Sequence, residues 1–273
     1  MLIAQLTDLH LRPRGLPANR VVETNMLAAR ALAAAARHRP DAILLTGDLA
    51  DRGEPGAYRE LARMLEAEPD LPPVFALPGN HDDRAAMSQA LPALAPLAEG
   101  FIQHVVEGFP VRLVLADTLV PGSSGGALCA ERLAWLDATL AAAPDRPTLL
   151  AMHHPPFATG IGHMDRIALA DPAGFAALLA RHRQVRLVVC GHVHRPVVTR
   201  IAEAVVMIAP SVAHQVALDL RAEAPSAFML EPGAFLLHRW TGDGFMTHTA
   251  LVEAFPGPFP FLGAAEGEKL AIM

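Results

Sequence analysis

The chain has 273 residues, 52% hydrophobic and 18% charged, enough for one large α/β domain with a sizeable core. A formal net charge of -6 excludes the broad basic surface of a general nucleic-acid binder but not a small anionic substrate, because bound metal charge dominates a site locally. The two cysteines, Cys129 and Cys190, make no disulfide framework, and no stretch reaches the roughly 18 uncharged apolar residues of a membrane span.

The first segment also lacks the basic start of a signal peptide and carries Asp8 inside its apolar run, so a cytoplasmic protein without membrane contact is expected. In chain order, 2–6 reads as a strand. Alanine-rich 19–37, with Val22, Met26, Leu27, Ala31 and Leu32 at helical spacing, predicts a helix. Residues 42–46 are a second buried strand. Pro55 opens a helix running to 67, and 74–77 is a third strand, broken by Pro78-Gly79. A short helix follows Asp83. Two strands, 100–106 and 111–116, meet near Gly108; 121–126 is a loop; 131–142 is a helix with Leu133, Leu136 and Leu140 on one side. Then come a strand at 148–152, a long loop at 155–165, a helix to 182 capped by Asp171 and opened by Pro172, and a strand at 186–190.

After Pro196 the pattern changes to strands without helices: 197–201, 205–208, 227–230, 235–240 and 245–252, with turns at 231–233 and 241–244. This predicts one domain over 1–253 and an irregular apolar tail over 254–273. Helices outside two stacked sheets satisfy both halves.

Thirteen histidines against one tyrosine is a lopsided count, and histidine is the commonest metal ligand. The strand ends show where several of them fall. The first strand runs into TDLH (Asp8, His10), the second into TGDLADRG (Asp48), and the third into PGNHDD (Asn80, His81, Asp82). The strand at 148–152 runs into MHHPP (His153, His154), and that at 186–190 into GHVH (His192, His194). Singly, each reads equally well as a cap, a turn or a loop. Five in order, at the carboxyl ends where α/β sheets open their ligand crevice, point to one place.

The residue types explain themselves if two divalent metals about 3.5–4 Å apart share a bridging ligand. A carboxylate bridges, and Asp48 is the isolated one. Asp8, His10 and Asp48 with one histidine of 192 and 194 make one site; Asp48, Asn80 and His153 with the other make the second. Mixed nitrogen and oxygen donors suit Fe, Mn, Zn or Co. Glycines before Asp48, Asn80 and His192 allow sharp turns.

These five blocks resemble the ordered motifs of the calcineurin-like metallophosphoesterases. QLTDLHLRPRG (5–15), MHHPP (152–156) and APSVAHQV (209–216) are most similar to the bacterial glycerophosphodiesterase and class III cyclic-nucleotide phosphodiesterase branch, and the likeness runs to about residue 252. The resemblance implies an α/β, four-layer αββα sandwich of two mixed sheets flanked by helices. It implies Asp8, His10, Asp48 and His194 around one metal, and Asp48, Asn80, His153 and His192 around the other. His81 would face the phosphate, protonating the leaving oxygen or stabilising the transition state; the plainer reading is a partner of a ligand. His214 resembles a position beside the substrate.

The implied reaction is hydrolysis of a small phosphodiester, a cyclic nucleotide or a glycerophosphodiester, by metal-activated hydroxide. The rival readings are a phosphomonoesterase, a nucleotide pyrophosphatase with the same metals, or a scaffold that has lost catalysis. The tail, with Phe255, Phe259, Phe261, Leu262 and Ile272, is too apolar to leave in water. Relatives in this branch are often oligomers, so the tail is expected on a neighbouring subunit of a homo-oligomer built from dimers.

Overall fold

A computed structural model of the chain describes residues 1–68 and 70–260. The elements run β1 (Leu2–Leu6), α1 (Thr24–Arg37), β2 (Ala42–Thr46), α2 (Pro55–Glu66), β3 (Val74–Leu77), α3 (Arg84–Ala90), β4 (His104–Val106) and β5 (Arg112–Leu115). They continue with α4 (Ala130–Ala141), β6 (Thr148–Ala151), α5 (Gly162–Asp165), α6 (Pro172–Arg181), β7 (Val185–Cys190), β8 (Val197–Ile201) and β9 (Ala204–Ile208). The last four strands are β10 (Gln215–Val216), β11 (Phe228–Met229), β12 (Ala234–Trp240) and β13 (Phe245–Leu251).

Two large sheets result. One has the order β13-β12-β1-β2-β3, the other β4-β5-β6-β7-β9-β8, and β10-β11 form a two-stranded ribbon. Strands β1, β2 and β3 are parallel, as are β5, β6, β7 and β9. The helical crossovers that parallel neighbours require supply the outer layers.

The pleat sorts the apolar residues. Ile3, Leu44, Leu113, Leu115, Leu149, Leu187 and Val189 fill the layer between the sheets. Their chain neighbours Ala4, Leu6, Ile43 and Leu45 pack outward on α1 and α2, and Val114, Leu150, Val188 and Cys190 pack on α4 and α6. Successive side chains of a strand point to opposite faces, so near-continuous apolar runs serve strands covered on both sides. The four-layer αββα arrangement is the one expected.

Local differences have local causes. The helix expected from 19 begins at Thr24, because Asn19 and Arg20 sit in left-handed backbone (φ 46° and 67°). That turn is closed by mutual Ala18–Val22 bonds of 2.9 Å. Thr24 Oγ1 then donates to the His10 carbonyl at 2.8 Å, tying α1 to the first strand-end turn. The loop at 155–165 contains the short helix α5, and the strand expected from 100 begins at His104. The β-rich second half is not one unit: β8 and β9 complete the second sheet, whereas β12 and β13 return to the first.

Phe255 and Phe259 are exposed (62% and 76%) rather than packed on the domain. Phe261, Leu262 and Ile272 lie outside the described residues. Among the described residues no helix is long and apolar enough to cross a membrane.

Candidate metal centre

The carboxyl ends of β1, β2, β3, β6 and β7 meet at one edge of the sandwich and bring the expected residues together. Asp8, His10, Asp48, His153, His192 and His194 are buried, Asn80 is half-buried, and His81 is exposed above them. The backbone is forced there. Asp8, His10, Asp48, His192 and His194 all have positive φ (54°, 46°, 50°, 73° and 54°). A non-glycine residue so placed costs on the order of 1–3 kcal/mol, and such residues persist where surrounding structure over-determines them.

Of the strand-end glycines, Gly47 needs its left-handed conformation (φ 96°), and a Cβ there would collide with His153. Gly191 serves close approach instead, since a Cβ would run into Thr7 Oγ1.

The donor atoms fall into two groups that share one oxygen. In the first, His10 Nε2 lies 3.1 Å from His194 Nε2 and 3.8 Å from Asp48 Oδ2. His194 Nε2 is 3.2 Å from Asp8 Oδ1. In the second, His153 Nε2 lies 3.4 Å from the same Asp48 Oδ2 and 3.2 Å from Asn80 Oδ1. Asn80 Oδ1 is 2.9 Å from His192 Nδ1. Asp48 Oδ1 is taken by the His81 backbone N–H at 2.8 Å, which leaves Oδ2 to face both groups.

The proton inventory tests whether cations fit. His153 Nδ1 donates to the Thr46 carbonyl at 2.9 Å, and His194 Nδ1 donates to the His214 carbonyl at 2.8 Å. When these rings are neutral, their Nε2 atoms are bare lone pairs aimed at carboxylates. Metal bonds of about 2.0–2.2 Å set ligand atoms roughly 3–3.5 Å apart, the spacing seen here.

Without cations the charges adjust. Burial works against the His153 imidazolium, but the Asp48 and Asp8 carboxylates outweigh it and push the ring up to about 9. Burial and the neighbouring His153 push His192 down to about 3. Burial opposes the Asp48 carboxylate, yet His153 and His81 hold it well below the usual range. Buried carboxylates and imidazoles with acceptor atoms facing one another fit a cation site. The groups within reach of one another include Asp8, Asp48 and His153, and separately His153, His154 and His192.

His81 stands over the first group, its ring 4.8 Å from that of His10 and its Nε2 3.9 Å from Asp48 Oδ2. Its Nδ1 donates to the Asp51 carbonyl at 2.7 Å, so Nε2 faces the opening. Burial lowers its affinity for a proton, but Asp48 and the Asp51 carbonyl outweigh that and raise it. His214 has Nε2 3.5 Å from Asn19 Nδ2 and its ring against Phe228. Both line the cleft over the metal groups, about 200 Å³ in volume, with Ser124, Met164, Ile167 and Val216. His154, whose role the sequence left open, lies beside His153 and His192 with both ring nitrogens engaged: Thr118 Oγ1 contacts its Nδ1 at 2.8 Å and the Ser124 carbonyl its Nε2 at 3.3 Å.

Two carboxylates beside the site had no role in the sequence reading. Asp51 faces His10 Nδ1 at 3.4 Å with its carboxylate and is itself held by Arg12 at 3.3 Å. Asp82 accepts from the amides of Leu49 (3.1 Å), Ala50 (2.9 Å) and Gly79 (2.9 Å) and from Tyr58 Oη (2.9 Å). It thereby locks the Asp48 turn onto the Asn80 turn. Burial and the Asp48 charge push Asp82 up to about 6, against the pull of those amides. Both residues lay inside the quoted motifs, but only their hydrogen bonds reveal the task.

The calcineurin-like phosphoesterase family matches residues 1–196, and the chain belongs to that family. The family uses a dinuclear metal centre, which the histidine and aspartate groups fit. A probable glycerophosphodiester phosphodiesterase of Arcobacter nitrofigilis is 36% identical over 279 residues, covering 96% of this chain and 97% of that protein. A probable cyclic nucleotide phosphodiesterase of Rhodopseudomonas palustris is 40% identical over 223 residues, covering 80% of each. In fold, the chain is similar to a dimetal phosphatase from Danio rerio, with a TM-score of 0.66 at 17% identity over 90% of this chain and 98% of that one.

Replacing Asp82 by alanine strands three amides and a phenol. It is expected to lower the unfolding free energy of the metal-free protein by roughly 3 kcal/mol or more, from about 1–3 per buried unpaired group. Metal affinity should fall about 10–100-fold, the usual effect of losing a group that supports ligands. Denaturant unfolding and metal titration check both; a loss below that of Tyr58→Phe contradicts the locking role.

Proposed function

We propose that this chain is a metal-dependent phosphodiesterase that hydrolyses small phosphodiesters, glycerophosphodiesters or cyclic nucleotides. The observation that carries it is the sharing of Asp48 Oδ2 by two groups of bare donors, with His81 above them. In this reading Asp8, His10, Asp48 and His194 hold one ion, and Asp48, Asn80, His153 and His192 the other. Fe, Mn, Zn and Co suit the donors. Two such ions supply a hydroxide nucleophile at neutral pH and charge against the phosphoryl oxygens.

The chain's own residues do the rest. Asp48 fixes the distance between the two halves of the site. The Asp51 carbonyl holds His81 Nδ1–H, so that in the imidazolium, which Asp48 favours, Nε2 carries the proton offered to the leaving alkoxide. Asn19 and His214 flank one side of the cleft, and Met164, Ile167 and Val216 line it too, so the substituents of the diester meet polar and apolar surfaces. We take 1–253 as the catalytic domain, the compartment as cytoplasmic, and the exposed Phe255 and Phe259 as part of an oligomer contact. The substrate names of the relatives support the diester reading.

Initial rates on glycerophosphocholine, cyclic AMP, bis(p-nitrophenyl) phosphate and p-nitrophenyl phosphate test this, with metal content measured on the same sample. Two ions per chain and faster turnover of diesters are expected; faster monoester turnover, or one ion in fully active protein, overturns the reading.

His81→Ala should keep both ions and lose about 10²–10⁴-fold in turnover, the range of a general acid. The loss should be smaller for a nitrophenolate leaving group, which needs no proton. Equal losses for alkyl and nitrophenyl diesters would assign His81 to transition-state binding instead.

Metal binding must expel the His153 proton. With its folded value raised to about 9 against the ordinary 6.5, the proton is bound more tightly in the native metal-free chain. That stabilisation is full below pH 6.5 and is lost as pH rises through 9. Metal affinity should therefore rise with pH up to about 9, with close to one proton released from His153 at pH 7.5. Calorimetric metal titrations in buffers of different ionisation heat check this.

Deleting 256–273 should lower the mass in solution by light scattering if the tail joins subunits; an unchanged mass removes it from the interface.

A further inference from the structure

We infer that Gln5 is a positioning residue for the metal centre: its carboxamide joins the ligand turn after β2 to the ligand turn after β7 and so sets the spacing of the two donor groups. Gln5 is fully buried (0% exposed) on β1 and faces the layer between the sheets. That layer is otherwise built of residues such as Ile3, Leu44, Leu187 and Val189.

Both amide hydrogens are used. Nε2 donates to Thr46 Oγ1 at 2.9 Å and to the Cys190 carbonyl at 2.9 Å. Thr46 ends β2, two residues before Asp48, and its carbonyl holds His153 Nδ1–H at 2.9 Å. Cys190 ends β7, two residues before His192. The acceptor end is used as well. His238 Nε2–H donates to Gln5 Oε1 at 3.0 Å, and His238 Nδ1 accepts from Thr247 Oγ1 at 2.9 Å.

A leucine would suit this layer without the cost of burying an amide. What it would not supply is direction. Apolar contact between the sheets is non-directional and tolerates sliding, whereas two amide hydrogens fix where one sheet's strand end lies against the other's. The donor groups need that registration, because Asp48 comes from the first sheet and His153 and His192 from the second. Every polar atom of the Gln5 side chain is paired, the condition under which a buried polar link specifies geometry instead of loosening the core.

The inference rests on the two-metal reading, and the experiment separates the two. Gln5→Leu, His238→Leu and the double variant Gln5→Leu/His238→Leu are compared with the wild type after loading with Mn²⁺. The readouts are metal stoichiometry, affinity for the more weakly held ion, the exchange-coupled Mn²⁺ signal in electron paramagnetic resonance, and thermal unfolding of the metal-free chains. His238→Leu leaves both amide donations in place and should retain wild-type affinity and coupling. The double variant removes the buried Nε2–H of His238 along with its acceptor, so it should unfold at a higher temperature than Gln5→Leu. It should still bind the weaker ion about 10–100-fold less tightly and show an altered coupling.

Wild-type affinity and coupling in the double variant overturn the inference while leaving the two-metal reading intact. An equal loss in His238→Leu also overturns it, since general packing would then explain the effect. Fewer than two ions in the wild type overturn the two-metal reading, and this inference with it. If Gln5→Leu alone fails to fold, the double variant and His238→Leu still decide the matter.

Discussion

The fold has to hold lone pairs against one another. Asp8, Asp48 and four histidines are buried with their acceptor atoms facing inward. The two carboxylates repel, each histidine's outer hydrogen is committed elsewhere or faces away, and burial penalises every charge. In the absence of cations the protonated His153 offsets part of that cost. The cluster persists because the strands that carry it are fixed by cores that have nothing to do with it, and the five left-handed residues at the strand ends show the backbone yielding to that demand.

The two-sheet sandwich distributes the load. The first sheet brings Asp8, His10, Asp48 and Asn80; the second brings His153, His192 and His194. The groups are interleaved: Asp8 of the first sheet meets His194 of the second, and Asp48 meets His153. Asp8 also accepts the His192 backbone N–H at 3.1 Å. Cations bound here would therefore join the sheets as well as serve chemistry, and their binding energy adds to folding. The seam is already tied by direct, fully buried bonds, among them Gln5 to Cys190, His153 to Thr46 and Ser211 to Asp8.

What the sequence made legible follows from what is periodic or dense. Apolar runs such as 42–46 and 185–190 announce strands covered on both faces, and a polar block immediately after each is a signal one sequence can carry. The helix at 19–23 was misread because Val22 keeps the spacing while the left-handed Asn19 and Arg20 break the backbone, and spacing does not report φ. Strand β10 is only two residues, too short for alternation to register, whereas β11 falls inside the strand expected at 227–230. Asp51 and Asp82 sit one turn from the expected ligands Asp48 and Asn80 and have similar chemistry, so type and spacing do not separate a candidate ligand from its support. Gln5 is harder still: a lone glutamine in a strand reads as an edge or a solvent face, and only the second sheet, about 185 residues away in sequence, gives it a partner.

The donor groups and the walls of the cleft above them come from different parts of the chain. Every donor lies within four residues of a strand's end, on backbone fixed by the sheets. The walls of the cleft come from elsewhere: Asn19 from the left-handed turn before α1, Ser124 from the loop after β5, Met164 and Ile167 from α5 and its exit, and His214 and Val216 from the segment around β10. These are short elements and loops whose contacts with the metal groups are few, though His214 links the two through its carbonyl on His194 Nδ1. Met164 lies in the apolar core that also holds Val188, Cys190 and Val193, and Ile167 packs against it, so these walls also touch the strand that leads to His192 and His194. His214 joins the two most directly: its ring lines the cleft 4.8 Å from that of His194, and its carbonyl accepts His194 Nδ1–H at 2.8 Å.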